Sequence, residues 1–144
     1  MKIVIDTNVF VSGIFFTGPP YDILEAWRNG RLQPAVSQEI VDEYQSVVDE
    51  LSKQYQAIDT MPILDIVSKN TKIIMAPSLS EPVCIDPDDD KFIACAIAAC
   101  KIIVSGDKHL LKVSGCCGIQ VLKPREFVDK YLAGVAAKRS ANPL

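Results

Sequence analysis

The chain has one histidine, one tryptophan and no Cys-x-x-Cys pair among its 144 residues. A zinc site built from clustered Cys and His is therefore not expected. Its five cysteines are Cys84, Cys95, Cys100, Cys116 and Cys117. Their odd number argues against a disulfide framework and for small buried hydrophobes in a reducing compartment. The longest unbroken apolar run, Phe92 to Cys100, is nine residues, whereas a membrane-spanning helix needs about 20. Asp6 interrupts the first apolar stretch before a signal-peptide core can develop. A cytoplasmic protein with no membrane partner is expected. Excess positive charge is lacking too: a net charge of −3 does not fit a simple electrostatic nucleic-acid binder.

What is present is globular, with 49 % hydrophobic and 23 % charged residues. A chain of this length buries about 70 % of its unfolded surface and folds without staples. One domain over 1–133 is expected, with an Ala-rich tail over 134–144 that frays. The charge is divided unevenly. Residues 1–100 hold 7 Lys/Arg and 15 Asp/Glu, and residues 101–144 hold 8 Lys/Arg and 3 Asp/Glu. An acidic body can hold cations while a basic region beside it holds phosphates; the alternative is a basic tail that only aids solubility.

Hydrophobic periodicity sets the element order. Lys2–Ile5 reads as a buried strand, and Pro19 opens a helix over Tyr21–Arg28 that ends at Gly30. Leu32–Val36 is a second strand. Ile40, Val41, Tyr44, Val47, Val48 and Leu51 recur at helical spacing after Ser37. A further helix is expected over Ala57–Asn70. Lys72–Met75 is a third strand, followed by a Pro-rich acidic loop over Pro77–Asp89. Phe92–Cys100, apolar nearly all round, reads as a buried helix. Ile102–Val104 is a fourth strand, Gly115–Gly118 a turn and Ile119–Leu122 a fifth strand, and Pro124 opens a last helix to about Leu132. Strands alternating with helices, two of them continuously apolar, imply an α/β fold with a mostly parallel sheet.

The acids fall at one edge of that sheet. Ligands of open α/β sheets bind beyond the carboxyl ends of the strands. Asp6 directly follows the first strand. Asp107 follows the fourth after Ser105-Gly106, and Asp90 opens the helix that leaves the third strand. At about 100° per residue, Glu43 is the acid of its helix nearest the apolar face. Carboxylates gathered together repel one another unless neutralised. Hard divalent cations resolve this with oxygen ligands. Mg²⁺ or Mn²⁺ in such a site can activate water and hold the charge of a phosphoryl transition state.

Each acid also has a structural alternative. Asp6 and Asp107 could cap helices, Asp88, Asp89 and Asp90 could complement a helix dipole, and Glu43 could pair with a lysine. Other candidates are weaker. Asp6-Thr7-Asn8 lacks the second Asp of a phosphoaspartyl phosphatase. Gly13-x₄-Gly18 is not followed by the Lys of a phosphate loop. Ser105, Thr7 and Ser12 have no histidine partner. His109 reads as a helix-surface residue, and Cys116-Cys117 as part of a turn.

Taken together, Ile3-Val-Ile-Asp6-Thr-Asn8-Val-Phe10, Glu43 on a helix after Ser37, Asp86-Pro-Asp-Asp-Asp90-Lys-Phe-Ile-Ala and Ile103-Val-Ser-Gly-Asp107-Lys-His-Leu-Leu resemble the PIN-domain family. More narrowly, they resemble VapC-like toxins of bacterial and archaeal toxin–antitoxin pairs. The resemblance spans residues 2 to about 130. It implies a three-layer α/β/α sandwich and a Mg²⁺- or Mn²⁺-dependent endoribonuclease. It maps the catalytic acids to Asp6, Glu43, Asp90 and Asp107, with Asp6, Asp90 and Asp107 on the metal and Asn8 and Ser105 as accessory polar groups. Asp88 is the alternative third acid. It also implies an RNA substrate, a small antitoxin partner and a homodimer. Lys108, Lys112, Lys123 and Arg125, in the basic region, are candidates to guide the RNA backbone. The alternative function is a PIN-like RNA- or protein-binding module without catalysis.

Overall fold

The computed structural model describes residues 1–54, 71–75, 79 and 89–132. The helix expected over 57–70, the alternative acid Asp88 and the tail over 134–144 lie outside the described residues.

Short β-branched runs form the strands: β1 (Val4–Ile5), β2 (Ala35–Val36), β3 (Lys72–Ile73), β4 (Ile102–Val104) and β5 (Gln120–Leu122). One ladder runs β1-β4-β5 and another β2-β3, every pair parallel. The Gln33 amide donates to the Met1 carbonyl at 2.9 Å and the Ala35 amide to the Ile3 carbonyl at 2.8 Å. These two bonds share one sequence offset, as parallel pairing requires. They join the ladders into a continuous sheet in the order β3-β2-β1-β4-β5. All five carboxyl ends therefore face one edge.

Helices cover this sheet as the α/β sandwich requires. They are α1 (Thr7–Phe15), α2 (Pro19–Arg28), α3 (Gln38–Gln54), α4 (Asp90–Ala99), α5 (Lys108–Lys112) and α6 (Pro124–Phe127), the last widening into a π-type turn over Val128–Leu132. Helix α4 packs on β1, β2 and β4 and against α3, while α1 packs on α2. Phe92 to Ala96 of α4 are all buried, but Ala98 is exposed, so the helix is apolar in sequence and buried along only part of its length.

Two expectations need correction, and one helix was not assigned from the sequence. Helix α1 was not legible, because Thr7, Val9, Val11 and Gly13 are weak helix formers. Tertiary packing supplies what propensity does not. Gly13 lies so close to α2 that a Cβ there would stand 2.6 Å from Leu24 Cδ1 and 2.8 Å from the Pro20 carbonyl. The strand expected over Lys72–Met75 pairs only at Lys72–Ile73, on a sheet edge where both residues are exposed. His109 is not at the surface: it is partly buried, and its Nδ1 is shielded from solvent with no hydrogen-bond partner among the described residues.

The core carries an aromatic cluster directly beneath the acidic edge. Phe10 of α1 stacks on Tyr44 of α3, with centroids 4.5 Å apart and planes 12° apart. Trp27 of α2 closes against both. Tyr44 is fully buried and its hydroxyl donates to the Ile5 carbonyl, the last residue of β1. That bond pins α3 to the carboxyl end of β1. Burial pushes the Tyr44 phenol well above its ordinary range, so it remains a neutral donor.

Candidate active site at the carboxyl edge of the sheet

Asp6 follows β1 and is 4 % exposed. Its amide continues the sheet, donating to the Val104 carbonyl at 3.0 Å. It stands at the N-cap position of α1, where its side chain makes no capping hydrogen bond of normal geometry, although the Asn8 backbone amide of the first turn still favours its charged form. The carboxylate instead accepts from the hydroxyl of Ser105, fully buried after β4, at 2.7 Å. Burial pushes the Asp6 carboxyl above the ordinary carboxylate value. The Ser105 hydroxyl opposes this, the charges of Asp107 and Glu43 add to the rise, and the Asn8 amide opposes it. Asp107, after β4, and Glu43, on α3, thus lie within electrostatic reach of Asp6.

Asp107 is held by two backbone contacts. Its amide donates to Ser105 Oγ at 3.0 Å, and its Oδ1 accepts from the His109 amide at 2.8 Å. The capping alternative is therefore realised for Asp107. Capping uses one carboxylate oxygen, and Ser105 links this acid to Asp6 through a single hydroxyl.

Glu43 follows Tyr44's placement. The wheel puts it beside the apolar stripe, and the Tyr44 bond fixes that stretch of α3 against β1. One Glu43 oxygen accepts from the Thr7 hydroxyl. The other lies 2.9 Å from the Lys91 ammonium, with the Lys91 side chain 11 % and Glu43 34 % exposed. Lys91 is a site residue that sequence reasoning missed, and Thr7, weighed there only as a nucleophile, is here the partner of Glu43. Helix α1 was not foreseen, and Lys91 had no signal beyond its place next to Asp90. The lysine-pairing alternative for Glu43 is also realised.

Asp90 opens α4, in the same first turn as Lys91. Asn8 is exposed on the first turn of α1. Lys108 and Lys112 are exposed on α5, which leaves the carboxyl end of β4; Lys123 and Arg125 are exposed just beyond the carboxyl end of β5. The carboxyl ends of β2 and β3 open on a shallow cleft lined by Ser37, Gln38, Glu39, Ile73, Ile74 and Met75.

Among the described residues, no three Asp, Glu, His or Cys side chains stand close enough to ligate one ion as arranged. The chemistry of the donors nevertheless fits a hard divalent cation. They are carboxylates only, one is buried with a raised pKa, and their mutual repulsion is relieved by one lysine.

A family model described as PIN domain matches residues 2–109. An uncharacterized protein of Methanocaldococcus jannaschii is 29 % identical over 143 residues, covering 91 % of this chain and 92 % of that one. A crystal structure of VapBC2 from Rickettsia felis, bound to a DNA fragment from their promoter, superposes with a TM-score of 0.58 at 19 % identity, covering 85 % of this chain and 98 % of that chain. The structural neighbour shares the fold.

Proposed function

The chain belongs to the PIN domain family, and from that premise we propose that it is a metal-dependent endoribonuclease acting as the toxin of a toxin–antitoxin pair. PIN domains are generally nucleases, and those nucleases generally use divalent metal ions. The observation that carries the reading is the buried Asp6 carboxylate, held by Ser105 and facing Asp107 and Glu43 at the carboxyl edge. A protein that only binds gains nothing from burying one carboxylate beside two others.

Asp6, Asp90 and Asp107 would hold Mg²⁺ or Mn²⁺. The ion when bound supplies Lewis-acid stabilisation of the phosphoryl transition state and a lowered pKa for water. The chain's own groups do the rest. Ser105 orients the Asp6 carboxylate, and the His109 amide orients that of Asp107. Glu43 completes the acid set around the ion or orients the attacking water. Asn8 offers a polar contact at the rim, and Lys108, Lys112, Lys123 and Arg125 draw the RNA backbone toward the acids. The resemblance to VapBC2 supports a small antitoxin as partner, and the family resemblance supports a homodimer working in the cytoplasm.

The test is incubation of purified protein with end-labelled single-stranded RNA, with Mg²⁺ or Mn²⁺ and with chelator, beside Asp6→Asn. Cleavage that needs metal and disappears in Asp6→Asn is expected. RNA binding without cleavage, indifferent to metal, would instead establish a non-catalytic binding module.

A further inference from the structure

Lys91 has no part in the chemistry above, yet its ammonium sits inside the acidic site. Its side chain is 11 % exposed, its Nζ is 2.9 Å from Glu43 Oε1, and the other Glu43 oxygen is taken by Thr7. Both Glu43 oxygens are thus engaged by the chain itself. A buried lysine stem is costly to order, and a part-buried ammonium needs a partner. Lys91 is therefore paired with the same carboxylate that a divalent cation would draw on. Asp90, the adjacent residue, opens the same helix turn, so a displacement of Lys91 acts directly beside another acid of the set.

We propose that Lys91 is an internal counter-ion that competes with the divalent cation for Glu43, setting the cation concentration at which the site assembles. This rests on the metal-dependent reading above and deepens it. Without a cation, Lys91 neutralises Glu43 and, with Thr7, engages both of its oxygens. That matches the absence, among the described residues, of any three acids at ligating distance. With a cation, the Lys91–Glu43 pair opens and the carboxylates converge. Lys91 is a positioning residue, acting through Glu43 and not on substrate.

The experiment is calorimetric titration of metal-free, full-length protein with Mn²⁺, in the absence of nucleic acid. The proteins are the wild type, Lys91→Met, Lys91→Arg, Glu43→Gln and the double variant Lys91→Met/Glu43→Gln. Methionine keeps the buried stem and removes the charge, and circular dichroism verifies that each variant is folded. Lys91→Met should bind Mn²⁺ at least about tenfold more tightly, because a unit charge this close to a ligand oxygen is strongly felt in a part-buried site. Lys91→Arg should stay near the wild type. In the Glu43→Gln background the Lys91 effect should vanish, as a coupling through Glu43 requires. Unchanged or weaker Mn²⁺ binding by folded Lys91→Met, with the wild type binding normally, would overturn the counter-ion role and leave the nuclease reading intact. No Mn²⁺ binding by the wild type or by any variant would overturn both.

Discussion

Asp6→Asn should remove activity and stabilise the metal-free protein at the same time. Asp6 is 4 % exposed, and burial is the largest cause of its raised pKa, with Asp107 and Glu43 adding to the rise. Those effects outweigh the Ser105 hydrogen bond at 2.7 Å, so the ionised form is net unfavourable in the folded chain. A folded-state pKa above the ordinary 3.8 means the folded protein holds the proton more tightly than the unfolded one. The associated stability is present below about the unfolded value and is lost as pH rises through the folded one. Asparagine cannot ionise, and its Oδ1 still accepts from Ser105. Each unit of raised pKa corresponds to about 1.4 kcal/mol at neutral pH, and each kcal/mol to about 2–4 °C in Tm for a domain near this size. Thermal unfolding in chelator, from about pH 4 to about pH 8, reads this directly. The Tm of Asp6→Asn should match the wild type at the acid end and exceed it by a few degrees at neutral pH. Added Mn²⁺ should raise the wild type alone. An Asp6→Asn protein that is less stable than the wild type in chelator at neutral pH would mean that the buried Asp6 carboxylate is not repelled by its surroundings.

Gly13→Ala should destabilise by about 1–3 kcal/mol in urea unfolding, since its Cβ meets Leu24 and the Pro20 carbonyl under 3 Å; an unchanged midpoint would mean that α1 and α2 are not in close contact. Cys116 and Cys117, both exposed with sulfurs 3.3 Å apart, should react at once with a thiol reagent. Cys95, buried and pushed up to about 12, should react only on unfolding, and its rapid labelling in the native state would contradict the packing of α4. Lys108→Ala and Lys123→Ala should weaken RNA binding, each making its salt dependence shallower by about one unit of slope, with Mn²⁺ affinity nearly unchanged. An unaltered salt slope would remove those lysines from the RNA path.

The sheet and the place of the acids were legible because both depend on chain direction. Ile3 to Ile5 and Ile102 to Val104 are too apolar to be anything but buried strands, and an acid just after each must emerge at the same edge. Glu43 could be found by helical geometry because α3 has a clean apolar stripe. What stayed hidden depends on contacts between segments far apart in sequence. Helix α1 has poor local propensity and is held by Phe10 against Tyr44 and Trp27. The Lys91–Glu43 pair joins residues whose meeting depends on α4 packing against α3. His109 looked like a surface residue because a five-residue helix has too short a period to reveal which face it buries.

In the proposed reaction, the acids at the carboxyl edge hydrolyse RNA with the help of a bound divalent ion. Mass spectrometry of the RNA ends produced by purified protein tests it most directly. The expected products carry a phosphate on one end and a free hydroxyl on the other, form only with Mg²⁺ or Mn²⁺, and are absent with Asp6→Asn. Products bearing 2′,3′-cyclic phosphates, formed equally well in chelator and by Asp6→Asn, would contradict it, because they arise from attack by the RNA's own 2′-hydroxyl without help from the acids.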